Sequence, residues 1–122
     1  MKQKILIIDD DPDVAMITSI ILENAGYSVL TEDGTKDILA YINELTPDAV
    51  LLDANLSAMN GLEMCKKLKK DKQYHHIPII LFTGYDYDAD LILKKVKADA
   101  YLQKPYDRKE LLLKVGQCLS KG

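Results

Sequence analysis

A chain of 122 residues with 48% hydrophobic content has material for one core and one domain, which excludes disorder. A net charge of −3 excludes wholesale attraction to nucleic acid. No apolar run approaches the roughly 20 residues of a membrane span, and the apolar stretch after Met1-Lys2-Gln3-Lys4 is too short for a signal peptide, so a cytoplasmic location is expected.

Lys4 to Ile8 reads as a continuous apolar strand of the kind covered on both faces. Asp11-Pro12 has the form of an N-cap followed by proline at the first helical position. Val14, Ile17, Ile21 and Ala25 recur at helical spacing, with Gly26 at the helix end. Tyr27 to Thr31 is a second strand, mixed enough in character to lie at a sheet edge, and Glu32-Asp33-Gly34 is a loop. Ile38, Ile42 and Leu45 mark a second helix, stopped by Thr46-Pro47.

Asp48 to Asp53 is a third strand, in which Ala49-Val50-Leu51-Leu52 ends abruptly in an acid. The turn-prone stretch Asn55 to Gly61 follows. Gly61 to Lys72 is a helix with Leu62, Cys65 and Leu68 on one face; its lysines, Lys66, Lys67, Lys69, Lys70 and Lys72, read as a solvated outer face. His75-His76 reads as a solvated loop pair. Pro78 to Phe82 is a fourth strand, ending in Thr83-Gly84, and Ala89, Ile92 and Val96 mark a helix. Ala100-Tyr101-Leu102 is a short fifth strand that ends at Lys104-Pro105. Asp107 with Glu110 forms a capping box, and Leu111, Val115 and Cys118 carry a last helix nearly to Gly122, which leaves room for no further element. Cys65 and Cys118 match no zinc spacing and are expected as buried free thiols.

Strands that alternate with helices in this way imply an α/β fold: one parallel sheet with helices on both faces and right-handed crossovers, in a single domain over residues 1–122. In such a sheet the residues just past each strand gather at one edge. Here they are Asp9, Asp10 and Asp11, then Asp53, Thr83 and Lys104. The set offers acids for a hard cation, one hydroxyl and one ammonium. Pro12 follows the early acids in place of a glycine-rich phosphate loop, which argues against a dinucleotide site. No histidine falls at a strand end and Ser57 has no base partner, so a hydrolase triad has no support. The chemistry that fits is phosphoryl transfer onto a carboxylate, with Asp53 as nucleophile and magnesium or manganese held by the acids. Lys104 and Thr83 would bind phosphoryl oxygens, and positioning with charge neutralisation would supply most of the acceleration.

These residues also carry a resemblance. Ile5-Leu6-Ile7-Ile8-Asp9-Asp10-Asp11 resembles the first strand and acidic pocket of response-regulator receiver domains, the CheY-like family of two-component signalling. Asp53 with Asn55, Met59 and Gly61 is similar to that family's phosphoacceptor strand and following loop. Phe82-Thr83-Gly84 and Ala100-Tyr101-Leu102-Gln103-Lys104-Pro105 are similar to its two later signatures, so the resemblance covers the whole chain in order.

The resemblance implies a flavodoxin-like, doubly wound sheet of five parallel strands in the order 2-1-3-4-5. It implies Asp53 as phosphoacceptor, Asp10 as a direct magnesium ligand, Asp9 acting mainly through water, and the backbone carbonyl of Asn55 as a further ligand. The side chains of Asn55 and Tyr85 occupy positions that tune dephosphorylation. Thr83 and Tyr101 match the switch pair, with an ordinary core aromatic as the lesser reading of Tyr101. Lys104 matches the phosphate-binding lysine, and Pro105 implies a cis peptide. The implied partners are a sensor histidine kinase or a histidine phosphotransfer protein, and an output domain or target protein. Direct nucleic-acid binding by this domain and membrane contact are not expected. Such a domain catalyses its own phosphorylation and hydrolysis and is not expected to be an enzyme in the ordinary sense.

Several residues depart from the family pattern. Ser57 replaces a usual proline and Asn60 a usual aspartate, which would loosen the loop after Asp53. Lys97 replaces a glycine at the end of the fourth helix, and Gly84 replaces a commoner alanine. The rival readings are a degenerate receiver used as a phosphorylation-independent scaffold, a haloacid-dehalogenase-type phosphatase and a flavin carrier. Intact Asp9, Asp10, Asp53, Thr83 and Lys104 oppose the first, Asn55 in place of a second acid opposes the second, and the missing phosphate loop opposes the third.

Overall fold

The apolar runs become strands β1 (Lys4–Ile8), β2 (Ser28–Glu32), β3 (Ala49–Asp53), β4 (Ile79–Thr83) and β5 (Ala100–Gln103). Helices α1 (Pro12–Asn24), α2 (Ile38–Leu45), α3 (Gly61–Lys70), α4 (Ala89–Val96) and α5 (Arg108–Ser120) alternate with them. The structure is a computed structural model that describes residues 2–35, 37–56, 60–84 and 88–120. Every pairing is parallel, and the strand order is β2-β1-β3-β4-β5. The order reverses at β1, so a crevice opens between the carboxyl ends of β1 and β3.

The strands alternate in what they cover. Leu6, Ile8, Val50, Leu52 and Leu81 face α2, α3 and α4, where Ile38, Ile42, Cys65, Leu68, Ile92 and Val96 meet them. Ile5, Ile7, Leu51, Ile80, Phe82 and Leu102 face α1 and α5. Burying each large side chain contributes about 1.5–3 kcal/mol, enough to outweigh the modest propensities of short helices. β3 and β4 are buried at every residue, whereas β2 is half exposed, as expected of an edge strand. Cys65 and Cys118 are free and buried.

Helix α1 rolls differently from its sequence pattern. Ala15, Thr18 and Leu22 face the sheet, while Val14 and Ile21 pack at its flanks. Ile17, expected inside, is 56% exposed, and Met16 and Ile20 are exposed too. A polar Thr18 holds the inner line because its hydroxyl hydrogen-bonds the Tyr106 hydroxyl.

Two other expectations shift. α3 stops at Lys70 rather than Lys72, because Asp71 turns extended. Lys69 is not part of a solvated face: its ammonium donates to the Ile77 carbonyl at 3.1 Å and pairs with Asp99 at 2.8 Å. Helix ends follow the sequence signals more closely. Asp11 accepts from the Asp13 and Val14 amides with Pro12 next, and Asp107 accepts from the Glu110 amide at 2.7 Å. α4 ends on Lys97 in the left-handed region, φ 62°, where its amide still reaches the Leu93 carbonyl. The C-cap is therefore built as a glycine would build it, with side-chain strain added.

Candidate functional site

β1 delivers Asp9 to the crevice, 3% exposed. One carboxylate oxygen, Oδ1, accepts from the Asp11 amide at 2.9 Å, while the Asp11 side chain caps α1. Asp10 is half-buried beside it. β3 delivers Asp53, 5% exposed, whose Oδ1 accepts from the Asn55 amide at 2.9 Å. The three acids converge: Asp9, Asp10 and Asp53 each place an oxygen within 4.8 Å of the other two. The run Asp9-Asp10-Asp11 thus divides into two pocket acids and one helix cap.

The chain returning over Asp53 comes very close. A Cβ on Gly61 would lie 1.9 Å from the Asp53 carbonyl oxygen and 2.8 Å from the Ala54 Cα. Only a glycine lets α3 start there. Asn60 caps α3 through Oδ1, which accepts from the Leu62 and Glu63 amides at 2.9 and 3.2 Å. The loosening expected from Asn60 is therefore not seen at the cap, since an amide oxygen accepts there as a carboxylate would.

β4 and β5 supply the counter-charge and the hydroxyl. The Lys104 amide donates to the Thr83 carbonyl at 2.7 Å, and the Lys104 ammonium reaches Asp9 Oδ2 at 2.9 Å and Asp53 Oδ2 at 3.2 Å. That ammonium lies 4.7 Å from the centre of the Phe82 ring, a cation–π contact. The Lys104–Pro105 peptide is cis, as the resemblance implied. Thr83 is fully buried, and its Oγ1 accepts from the Asn55 side-chain amide at 2.6 Å. Asn55 thus touches both the acid and the hydroxyl. Tyr101 is 6% exposed and sits in the core cluster over α4, so its ring is inward in this conformation. A methyl added at Gly84 would meet nothing within 4 Å, so packing does not demand a glycine there. Tyr85, Ser57 and Met59 lie outside the described residues.

The electrostatics are unbalanced. Burial pushes the Asp9 carboxyl above its ordinary pKa; the Asp11 amide and Lys104 oppose this, and the Asp53 charge adds to it. Burial works to lower the Lys104 pKa, but the hydrogen bond to Asp9 and the charges of Asp53 and Asp9 outweigh it and the net shift is upward. Among the described residues one ammonium, that of Lys104, pairs with Asp9 and Asp53 within a cluster of three carboxylates. The donor set is hard oxygen, and its 4.8 Å limit is close to the ~4.2 Å across an octahedral magnesium shell. A magnesium ion fits it.

Phe82, Gly61, Thr18 and Tyr106 were not singled out from sequence. Phe82 and Gly61 were quoted only as parts of motifs that carry the resemblance, with no role given to either side-chain position. Tyr106 adjoins the Lys104-Pro105 pair, and Thr18 is the polar residue in an apolar helix line; both signals are legible only once the helix rotation is known.

The chain matches the family model of the response regulator receiver domain over residues 5–116. It is 36% identical over 116 residues to the DNA-binding response regulator MtrA of Mycolicibacterium smegmatis, a match that covers 94% of this chain and 50% of that protein. A CheY-like response regulator receiver domain protein from Methanospirillum hungatei superposes with a TM-score of 0.88 at 31% identity, covering 99% of this chain and 96% of that one. Chemotaxis response regulator CheY4 of Vibrio cholerae superposes at 0.86 with 28% identity, covering 98% and 100%. The chain spans about half the length of the curated relatives it matches. With its strand order and matched length, this chain belongs to the family of response-regulator receiver domains of two-component systems.

Proposed function

We propose that Asp53 accepts a phosphoryl group from a phosphohistidine on a sensor kinase or phosphotransfer protein, and that the modified domain presents a changed surface to an output partner. The observation that carries this reading is Asp53 itself, held at the crevice with two further acids and a lysine within reach. An Asp53 carboxylate oxygen attacks phosphorus, the new O–P bond forms, and the N–P bond to the donor histidine breaks. A magnesium ion held by Asp10 and Asp53, by Asp9 through water and by the Asn55 carbonyl would neutralise the phosphoryl oxygens. Lys104 leaves the carboxylates to pair with a phosphoryl oxygen. Thr83 donates its hydroxyl hydrogen to another phosphoryl oxygen, which draws Oγ1 away from the Asn55 amide from which it accepts.

Asn55 therefore opposes the switch in the unmodified domain, and Tyr101, already inward, stabilises the other end of it. Hydrolysis reverses the modification, so the domain acts on its own acyl phosphate and not as an enzyme on other molecules. The matched relatives are named DNA-binding response regulators, and the switched surface would be read by a tethered output of that kind or by a separate target. Among the described residues no helix is long and apolar enough to cross a membrane, which accords with the cytoplasmic location we assign.

Acetyl phosphate with magnesium should add one phosphoryl group by intact mass, and Asp53→Asn should remain unmodified. Equal labelling of the mutant would overturn the assignment.

A further inference from the structure

We propose that Thr18 and Tyr106 form a clasp between α1 and the loop after β5, and that this clasp positions Lys104 over the carboxylates. The inference rests on the proposed phosphoryl site for its consequence, but not for its geometry.

The loop after Lys104 has few ways to be held. Lys104 is tied at its own amide to Thr83, and Pro105 has no amide hydrogen to donate. Tyr106 is the next side chain, and it makes two contacts. Its hydroxyl hydrogen-bonds Thr18 Oγ1 on α1. Its ring stands edge-on to Phe82, with centroids 6.3 Å apart and an interplanar angle of 70°. Phe82 is the same ring whose centre lies 4.7 Å from the Lys104 ammonium. The path from α1 to the ammonium is thus three contacts through two aromatic rings, and each ring is fixed by a neighbour.

Thr18 supports this reading independently. It is 1% exposed in the line Ala15–Thr18–Leu22, where an apolar residue would pack without needing a partner. A buried hydroxyl is costly unless paired, and its pairing here is to the one loop that carries the lysine. The Tyr106 hydroxyl needs the same partner, so loss of either hydroxyl strands the other. Neither residue touches the acids, so both are positioning residues.

The test compares wild type with Tyr106→Phe, Thr18→Val and Thr18→Ser. The first readout is the proton NMR signal of the Lys104 ε-methylene, assigned with Lys104→Gln. Ring current from Phe82 should shift it upfield of the other lysines in wild type. Tyr106→Phe and Thr18→Val should each move it back toward the ordinary lysine position, and Thr18→Ser, which keeps a hydroxyl, should restore it. This readout needs no phosphoryl chemistry. The second readout is affinity for the phosphoryl mimic fluoroberyllate with magnesium. It should weaken by about three- to tenfold in Tyr106→Phe, the size of one lost hydrogen bond. Magnesium affinity without the mimic should stay within about twofold, because the metal ligands are untouched. In a Lys104→Gln background Tyr106→Phe should have no further effect on the mimic.

An unmoved Lys104 signal in both hydroxyl deletions overturns the clasp, as does a Thr18→Ser variant that behaves like Thr18→Val. Equal weakening of magnesium and mimic makes the pair structural only and also overturns it. Wild type that fails to bind fluoroberyllate refutes the proposed function, while the ε-methylene signal still decides the clasp.

Discussion

Two lysine–carboxylate arrangements lie at opposite edges of one sheet and differ in how completely they are satisfied. At the amino-terminal edge, Lys69 meets Asp99 at 2.8 Å, with the lysine side chain 11% and the aspartate 32% accessible. Lys69 also donates to the Ile77 carbonyl, and the same Asp99 oxygen accepts from the Ile79 amide at 2.8 Å. The Asp99 amide closes the corner on the Ile79 carbonyl at 2.9 Å. One cation matches one anion, and backbone groups take the rest. At the carboxyl-terminal edge, Lys104 pairs with Asp9 at 2.9 Å and with Asp53 at 3.2 Å, and Asp10 lies in the same carboxylate cluster. The first arrangement joins α3, β4 and the turn into β5. Among the described residues the second gathers three carboxylates around one ammonium, an excess of negative charge that a cation, or a phosphoryl group together with a cation, would offset. Pair distance alone does not separate structural from functional ion pairs; the local charge sum does.

The largest effect should come from breaking the balanced pair. Asp99→Ala leaves Lys69 without its anion and removes the acceptor of the Ile79 amide. It should cost about 2 kcal/mol, below the 3–5 kcal/mol of a fully buried pair because Asp99 is partly solvated. Urea unfolding should show this, with magnesium affinity unchanged. A loss under about 0.5 kcal/mol would place the pair among ordinary surface ion pairs and dissolve the contrast.

Breaking the unbalanced site should have the opposite sign. Asp10→Asn removes one of three mutually repelling charges and should stabilise the metal-free domain by about 1 kcal/mol. Wild type at a magnesium concentration ten times the dissociation constant should gain about 1.4 kcal/mol, several degrees in melting temperature, whereas the mutant should gain little. Melting at constant ionic strength removes screening as an explanation. If both proteins respond equally to magnesium, Asp10 lies outside the cation site.

The contrast also shows what sequence can carry. Asp53, Asp9, Asp10, Thr83 and Lys104 were legible because a parallel sheet sends every strand exit to one edge, so the ends of four apolar runs define the pocket. Lys69 was not, because in sequence it is one lysine among five between Lys66 and Lys72, and only the neighbouring α4–β5 turn makes it different. The face of α1 was misjudged for a related reason. Met16, Ile17 and Ile20 are apolar but exposed, so periodicity pointed to several faces, and the deciding contact, Thr18 to Tyr106, spans most of the chain. Asn55 was placed by resemblance, but its grip on Thr83 needed coordinates. Local pattern places backbone ends; it does not place partners far apart in sequence.

A smaller effect tests the balanced corner from within. Lys97 lies two residues before Asp99 and holds φ 62° without being a glycine. Lys97→Gly should stabilise by about 0.5–1 kcal/mol, the relief of left-handed strain minus the greater freedom of unfolded glycine. Thermal melting measures it. A loss of stability would mean that the lysine side chain contributes more than its backbone costs.

The smallest effect concerns pH, and its sign separates the two sites' chemistry. The Asp9 carboxyl is raised in the folded state, with burial as the largest cause. A carboxyl raised on folding takes its proton in the folded state first. As pH falls through that raised pKa, Asp9 therefore adds stability to the metal-free domain, an effect complete below the ordinary aspartate value of about 3.9. This runs against the usual acid destabilisation. Lys104, also raised, contributes in full below the ordinary lysine value of about 10.4 and loses its contribution only as pH rises through its folded pKa. Its contribution is thus constant across the acid range, and of the two Asp9 sets the change. Magnesium needs the ionised carboxylate, so proton and metal compete at Asp9. Stabilisation by a fixed, subsaturating magnesium concentration should therefore be smaller at about pH 5 than at about pH 7.5. Asp9→Asn should reduce this difference, since an amide does not titrate there. Melting curves at both pH values, with and without the metal, give the comparison. An unchanged magnesium effect across that range in wild type would show Asp9 ionised throughout, and the charge deficit at this edge would then be larger than its burial implies.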